Sequence, residues 1–142
     1  MLNKQLINSN KLNSRNDNYE MFRLMRIFID RLNEESNKGA LIVVEGPKDI
    51  QALYSLGYIG NIYPLNHGGS IDKLLSKIRK YNKLILLLDT DNEGNNLTKR
   101  ISRIGQEQHL LIDISLRKEL IRITNGKIRN IENLQNLFIE IT

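Results

Sequence analysis

Cysteine is absent from the 142 residues, and proline occurs only twice. Without cysteine the chain can form no disulfide framework, thiolate zinc site or cysteine nucleophile, so its chemistry must come from carboxylates, hydroxyls, lysines and two histidines. Long apolar stretches are missing as well: the longest, residues 84–88, is far shorter than the roughly 20 residues that a membrane-spanning helix needs. Residues 1–18 are polar, where a signal peptide would need an apolar middle. These absences predict a cytoplasmic protein with no membrane partner.

The composition is that of a globular domain. Hydrophobic residues make up 40% and charged residues 26% of the chain, which excludes a disordered or fibrous protein and allows one compact unit with a buried core. The formal net charge is +5, from 21 basic and 16 acidic residues, and no strongly basic tail concentrates it. This balance permits attraction to nucleic acid or another polyanion but identifies no partner by itself.

The N-terminal part of the chain contains one segment with the spacing of an amphipathic helix. Residues 1–18 are Asn-rich and show no clear period, so we predict a polar arm there. From residue 19 onward, apolar side chains recur at three- and four-residue steps, which is the spacing of one face of a helix. The members of this stripe are Met21, Leu24, Met25, Phe28 and Leu32. Residues 19–37 are therefore predicted to form an N-terminal helix and a linker.

Beyond residue 37, short apolar runs alternate with helical stretches. Four runs are almost continuously apolar, as expected for the buried strands of a parallel sheet, and they are residues 40–44, 61–65, 83–88 and 109–112. The segments between them have helical spacing, at residues 48–56, 71–81 and 95–106. This alternation predicts an α/β domain over residues 38–113, with a mostly parallel four-stranded sheet flanked by helices. A C-terminal helical extension at 114–142 is predicted to contain two helices, over residues 116–123 and 130–141.

Acidic residues directly follow two of the predicted strands. Glu45 comes after the first strand, and Asp89 and Asp91 come after the third. In an open parallel sheet the carboxyl ends of the strands meet at one edge, where ligands bind. Carboxylates gathered there repel one another and lose hydration unless they take up protons or hold a cation. We therefore expect Glu45, Asp89 and Asp91 to hold Mg²⁺, with Mn²⁺ as a substitute, because Mg²⁺ prefers carboxylate and phosphate oxygens.

Each of these acids also has a structural alternative. A carboxylate at the start of a helix often caps its N-terminus, and Asp91 stands where it could cap the helix that follows. Asp49 and Glu93 are additional acids in the same two segments, and either could contribute to the metal site or only add charge to the first turn of a helix. The functional interpretation depends on the joint placement of Glu45, Asp89 and Asp91 at two strand ends.

Phosphate contacts are expected beside the acids. Glycines in the loop after the second strand would let a phosphate approach the backbone, although a glycine turn with a serine helix cap explains the same residues, Gly68, Gly69 and Ser70. The basic residues best placed to meet a phosphate backbone are Lys48, Lys99, Arg100 and Arg103. The last three lie off the apolar stripe of their helix, so a solvated helix face explains them equally well.

Together these segments resemble the Toprim domain, which topoisomerases, bacterial-type primases, recombination mediators and certain ribosomal RNA maturation nucleases share. The resemblance rests on a glutamate motif at residues 43–49 (VVEGPKD) and an aspartate motif at residues 87–94 (LLDTDNEG). It implies a Rossmann-like sheet, with Glu45 as a general acid/base or metal ligand and Asp89 and Asp91 as Mg²⁺ ligands. The N-terminal helix and residues 113–120 (DISLRKEL) are similar to the small stand-alone Toprim proteins of archaea.

The resemblance implies a Mg²⁺-dependent protein that acts on nucleic-acid phosphodiesters as a nuclease or nucleotidyl transferase, with hydrolysis preferred. Primase activity is not expected, because no zinc-binding or helicase-contacting region accompanies the domain. One alternative is a module that grips nucleic acid or a protein partner through Mg²⁺ without turnover. Another, with less support, is a phosphatase of the haloacid-dehalogenase type. Residues 86–91 (LLLDTD) also resemble the first motif of those phosphatases. The motifs do not decide between DNA and RNA, the number of metal ions or the oligomeric state.

Overall fold

The structure is a computed structural model that describes residues 2–65 and 71–124, with side chains from residue 19 onward. Helices and strands alternate along the described chain after one long N-terminal helix. In chain order the elements are α1 (Leu2–Asn37), β1 (Ala40–Val44), α2 (Pro47–Ser55), β2 (Ile62–Pro64), α3 (Ile71–Lys77) with a 3₁₀ turn (Ile78–Lys80), β3 (Lys83–Leu86), α4 (Asn92–Glu107), β4 (Ile112–Asp113) and α5 (Ser115–Ile123).

Within the described residues, four strands form one parallel sheet in the order β2-β1-β3-β4. β1 and β3 pair along most of their length, from Ala40 opposite Lys83 to Val43 opposite Leu86. β1 is buried throughout, whereas the edge strands β2 and β4 are only partly buried. The predicted α/β fold with a parallel four-stranded sheet is confirmed. The two central strands are those that lead into the acidic segments.

Helices cover the sheet on both faces. Successive residues of β1 alternate between two cores: Ile42 and Val44 pack with α1, α2 and α5, while Leu41 and Val43 pack with α3 and α4. Burying one such side chain contributes roughly 1.5 to 3 kcal/mol. The central strands therefore form a rigid frame from which the loops at their carboxyl ends are positioned.

α1 is longer than the stripe of apolar residues in the sequence indicates. We predicted a polar arm at residues 1–18, but the backbone of residues 2–18 is helical and continues α1 without a break. No proline or glycine occurs in this stretch to stop a helix. Once a helix exists, each further residue adds a backbone hydrogen bond, so polar residues can extend it. The structure therefore differs from the predicted arm.

The last strand is shorter and begins later than predicted. We expected a strand over residues 109–112, whereas β4 contains only Ile112–Asp113. His109, the expected first residue of the strand, has a φ of 59° and lies in the turn that ends α4. In this turn the N–H of Leu110 donates to the carbonyl oxygen of Gly105 at 2.7 Å. The chain must leave the helix before it can pair with β3, which shortens the strand.

Several predicted features lie outside the described residues. These are the loop with Gly68, Gly69 and Ser70, and the last predicted helix over residues 130–141. The helix predicted at residues 116–123 corresponds to α5. None of the helices within residues 2–65 and 71–124 has the length and apolar content required to cross a membrane.

Candidate active site

Two carboxylates from neighbouring strands meet at the carboxyl edge of the sheet. Glu45 directly follows β1, and Asp89 follows β3 closely. β3 ends at Leu86, two residues earlier than predicted, but the N–H of Leu87 still donates to the carbonyl oxygen of Val43 at 2.9 Å, so the two exits run side by side. The N–H of Asp89 donates to Oε1 of Glu45 at 3.2 Å, although the residues are 44 positions apart. The carboxyl groups of the two residues also interact electrostatically, since the charge of Glu45 contributes to the raised pKa of Asp89.

Asp91 has the capping role that the sequence left open. Its backbone is extended, and its Oδ1 accepts a hydrogen bond from the N–H of Gly94 at 2.7 Å, which caps the N-terminus of α4. Its charge also contributes to the raised pKa values of Glu45 and Asp89. We refer to Glu45, Asp89 and Asp91 as the acidic cluster. The cap bond occupies one of the two carboxylate oxygens of Asp91, so capping and metal binding are compatible roles.

Gly94 allows the start of α4 to approach the acidic cluster. A Cβ atom at this position would lie 1.9 Å from the carbonyl oxygen of Asp89 and 2.8 Å from Oε1 of Glu45. Carbon and oxygen atoms that are not bonded cannot pack at such distances. The N-terminus of a helix carries free N–H groups and a partial positive charge, which favour nearby anions. The absence of a side chain at residue 94 therefore brings this favourable end of α4 against the carboxylates.

The two additional acids are placed differently from each other. Asp49 is buried, and its Oδ2 accepts a hydrogen bond from the N–H of Gly46 at 3.1 Å, which closes the start of α2. The charge of Asp49 contributes to the raised pKa of Asp89. Glu93 is exposed in the first turn of α4, and its charge contributes to the raised pKa of Glu45. Asp49 is thus a capping residue within electrostatic range of the acidic cluster, and Glu93 lies at an exposed position beside it.

Burial and mutual repulsion disfavour the ionised carboxylates. Burial is the largest cause of the raised pKa of Asp89, followed by the charges of Glu45 and Asp49, and this pKa reaches about 7. Burial also raises the pKa of Glu45, against the opposing effect of its hydrogen bonds with Asp89. Without a cation, the pair therefore retains a proton close to neutral pH.

One basic side chain reaches the acidic cluster from α5, and the sequence motifs gave it no role. Arg117 is partly buried; burial lowers its pKa, while the charges of the acidic cluster act in the opposite direction. Its Nε donates to the carbonyl oxygen of Leu88 at 2.8 Å, and its Nη2 donates to the carbonyl oxygen of Asp89 and to Oδ1 of Asn95, both at 2.6 Å. Its position in the sequence indicates only that it lies near this edge of the sheet, and not that it contacts the loop after β3. α5 begins just after β4, so its first turn lies at the same edge of the sheet.

The side chains of the acidic cluster fit a hard divalent cation. Mg²⁺ prefers oxygen ligands and is usually held by one or two carboxylates together with water and phosphate oxygens. Glu45 and Asp89 supply such a pair, and the raised pKa values of both carboxyl groups mark a place where positive charge is favoured. Among the described residues, no three acidic or histidine side chains are already arranged to hold one ion. A full coordination sphere would therefore include water or phosphate oxygens.

The predicted phosphate-contact residues are spread along two helices. Lys48 is exposed in the first turn of α2, and Lys99, Arg100 and Arg103 are exposed on α4. With a rise of 1.5 Å per residue, the three residues of α4 lie roughly 10 to 17 Å along the helix from its start at Asn92. They are therefore outside the acidic cluster, and a phosphate bound to them would lie away from it.

The raised pKa of Asp89 predicts that the metal-free protein loses stability as the pH rises. An unfolded Asp titrates at about 3.9, so between about pH 4 and pH 7 the folded protein binds more protons than the unfolded one. The free energy of unfolding should fall across this window, by on the order of 1 to 2 kcal/mol once solvent screening is considered. Urea unfolding at several pH values measures this, and Asp89→Asn should lack this part of the fall. Parallel pH curves for the two proteins would contradict the prediction.

Comparisons with known proteins match the same region of the chain. The family model of the Toprim domain matches residues 40–123. A UPF0292 protein of Thermococcus onnurineus is 32% identical over 125 residues, which cover 88% of this chain and 89% of that protein. A UPF0292 protein of Methanosarcina barkeri is 32% identical over 114 residues, covering 79% of this chain and 80% of that protein. A solved structure of an Aquifex aeolicus protein is 28% identical with a TM-score of 0.59, covering 75% of this chain and 94% of that structure.

Proposed function

We propose, from the premise that this chain belongs to the Toprim domain family, that it is a Mg²⁺-dependent protein that acts on nucleic-acid phosphodiesters, with hydrolysis as the preferred reaction. Membership of this family confirms the resemblance to the Toprim domain that the two acidic motifs indicated. The similar UPF0292 proteins are archaeal, as the segments on either side of the domain predicted. The observation that carries the proposal is the meeting of Glu45 and Asp89 at the ends of neighbouring strands. Burial and the neighbouring carboxylates raise the pKa of Asp89 there, so a bound cation would be favoured.

Each member of the acidic cluster has a proposed role. Asp89 and Asp91 would hold Mg²⁺, and bound Mg²⁺ supplies positive charge that offsets the charge developing on a phosphodiester during the reaction. Glu45 would act as the general acid/base or as a further ligand. Because Glu45 accepts the N–H of Asp89 and burial raises the pKa of its carboxyl group, Glu45 would take up or return a proton beside the phosphate.

The basic residues suit a polyanionic substrate that extends beyond the reacting phosphate. Lys48 lies in the first turn of α2, close to Glu45 in the sequence, and would contact a phosphate near the site. The exposed basic residues of α4 would contact phosphates farther along the same strand, since they lie away from the acidic cluster. Backbone contacts to phosphate are proposed for Gly68, Gly69 and Ser70.

A combined cleavage and binding screen tests the proposed function. Structured RNA, single-stranded DNA and nicked duplex DNA would each be incubated with Mg²⁺, Mn²⁺ or EDTA. We expect at least one substrate to be cleaved, only in the presence of the cation, and not by a variant with Asp89→Asn and Asp91→Asn. The absence of both cleavage and binding for all three substrates would show that the proposal is wrong.

Binding without turnover is the second candidate function. It is favoured because Asp91 is engaged in a cap and because, in the described part of the chain, no three acidic or histidine side chains are arranged to hold one ion. Such a module would use the same ligands but would not position an attacking water. In the screen it would appear as cation-dependent binding with intact substrate. A phosphatase of the haloacid-dehalogenase type has less support, because family membership accounts for both Asp89 and the glutamate that meets it from β1.

Neutralising the basic residues of α4 should weaken nucleic-acid binding and its dependence on salt. The variant combines Lys99→Gln, Arg100→Gln and Arg103→Gln. If each residue contacts one phosphate, the slope of log affinity against log salt concentration should decrease in magnitude by about 3, with affinity at low salt reduced at least about tenfold. Fluorescence anisotropy at several KCl concentrations measures both values.

A charge-matched control distinguishes specific contacts from a change in net charge. Arg23, Arg26 and Arg122 are exposed on α1 and α5, which cover the opposite face of the sheet. Their replacement by glutamine removes the same charge and should change the slope by less than about 1. Equal effects in the two triple variants would show that α4 is not the contact surface.

A further inference from the structure

Arg117 joins α5 to the loop that carries Asp89 and Asp91, two members of the acidic cluster. Its Nε–H donates to the carbonyl oxygen of Leu88 at 2.8 Å, and Nη2–H donates to that of Asp89 at 2.6 Å. Both carbonyls belong to the segment between β3 and α4, beyond the end of the strand. Buried backbone carbonyls need hydrogen-bond partners, and a guanidinium can satisfy two neighbouring ones in a fixed geometry. The loop conformation is thus held by a side chain from a different helix.

The same guanidinium is connected to the start of α4. Nη2 of Arg117 also donates to Oδ1 of Asn95 at 2.6 Å, and Nδ2 of Asn95 donates to the carbonyl oxygen of Thr90 at 3.3 Å. These bonds join three consecutive residues of the loop, 88–90, to the first turns of α4 and α5. Asp89 lies within this network, and Asp91 follows it directly as the cap of α4.

The anchor of α5 does not depend on Arg117. Three apolar side chains of α5 are buried in the core shared with α1 and α2, namely Leu116, Leu120 and Ile123. An ion pair between Arg31 and Glu119 also joins α5 to α1. α5 should therefore remain docked when Arg117 is replaced by an unbranched side chain of similar length.

We propose that Arg117 is a positioning residue of the acidic cluster: by fixing the loop that carries Asp89 and Asp91, it sets how tightly these carboxylates hold a divalent cation. The inference rests on the proposed function, because it concerns the same site. Arg117 need not contact the cation or the substrate. Its positive charge near the acidic cluster also moderates the repulsion among the carboxylates while they are held together.

Measurement of Mn²⁺ affinity tests this inference. Mn²⁺ is titrated into the folded full-length protein, and free Mn²⁺ is quantified by electron paramagnetic resonance. Arg117→Met removes the charge and the hydrogen bonds, whereas Arg117→Lys keeps the charge but cannot bridge two carbonyls from two nitrogens. We expect Kd to increase at least about tenfold in Arg117→Met, as for other residues that orient metal ligands, and by an intermediate factor in Arg117→Lys. Arg122→Met, which alters an exposed arginine of the same helix, should leave Kd within about twofold of the unmodified value.

The outcomes separate this inference from the proposed function. If the unmodified protein binds Mn²⁺ and Arg117→Met binds it equally well, the positioning role is wrong and the proposed metal site stands. If the unmodified protein does not bind Mn²⁺, the proposed function and the inference both fail. A purely structural role would lower the urea midpoint without changing the Kd of the molecules that remain folded, and that result would also overturn the inference.

A measurement on the unmodified protein covers the case in which Arg117→Met does not fold. The Nε–H group of Arg117 is hydrogen-bonded to the carbonyl oxygen of Leu88 and is partly buried, so its NMR resonance should be observable. Its assignment follows from its loss in Arg117→Lys. We expect this resonance to shift during a Mg²⁺ titration with the Kd of the site, because the loop that it holds carries the ligands. A resonance that does not move while Mg²⁺ binds would overturn the positioning role.

Discussion

Combined replacement of Asp89 and Asp91 by asparagine is expected to abolish Mg²⁺-dependent stabilisation and to reduce any phosphodiester cleavage at least about 100-fold. A ligand that binds only the folded state at about 100 times its Kd adds about 2.7 kcal/mol to the free energy of unfolding. The variant removes the charges that attract the cation and should lose this increment. Thermal or urea unfolding with and without Mg²⁺ measures it. The fold should survive, because asparagine at residue 91 caps a helix about as well as aspartate does.

Two further results sharpen this prediction. Without Mg²⁺ the double variant should be at least as stable as the unmodified protein at pH 7, since it no longer places repelling carboxylates together. A control with Asp30→Asn and Asp72→Asn removes the same charge from exposed positions on α1 and α3 and should keep the Mg²⁺ response. An unchanged Mg²⁺ response in the Asp89 and Asp91 variant would show that the cation binds elsewhere.

Replacement of Gly94 by alanine is expected to lower the free energy of unfolding by at least about 3 kcal/mol. The new Cβ atom would lie 1.9 Å from the carbonyl oxygen of Asp89, which is part of the backbone and is held by Arg117. Either α4 or the loop must move, and the hydrogen bond that caps the helix is strained at the same time. Urea unfolding of the metal-free protein measures the loss.

Gly46 provides the matched control for Gly94. It also lies at the start of a helix beside the acidic cluster, but no atom lies within 4 Å of the Cβ that alanine would add. We expect Gly46→Ala to cost about 1 kcal/mol or less. Similar losses for the two variants would show that the close approach at Gly94 is not the cause of its effect.

The sheet and the meeting of Glu45 with Asp89 could be predicted because both depend on local patterns. Continuous apolar runs identify buried parallel strands, and the carboxyl ends of parallel strands share an edge. Glu45 and Asp89 each follow such a run directly, so their approach requires only that β1 and β3 lie side by side. The edge strand β4 was placed less well, because two residues of pairing leave almost no periodic signal.

The roles of Gly94 and Arg117 could not be predicted, because each depends on distances between separate elements. A glycine in the first turn of a helix is not informative until the backbone of Asp89 is known to touch it. An arginine on a short amphipathic helix usually belongs to the solvated face, and only the docking of α5 turns Arg117 toward the carbonyls of the loop. The role of Asp91 could not be decided from the sequence either, because its position fits a helix cap and a metal ligand equally well.

The pairing of β1 with β3 also determines when the site can exist during folding. Ala40 pairs with Lys83, so α2, β2 and α3 all lie within a loop that must close before Glu45 and Asp89 can meet. Closing such a loop costs chain entropy that only the completed pairing offsets, which makes this kind of contact slow to form. A nascent or partly unfolded chain therefore contains both acidic motifs without an assembled centre. Cation binding would then report completion of the native topology and would be absent from peptides that contain either motif alone.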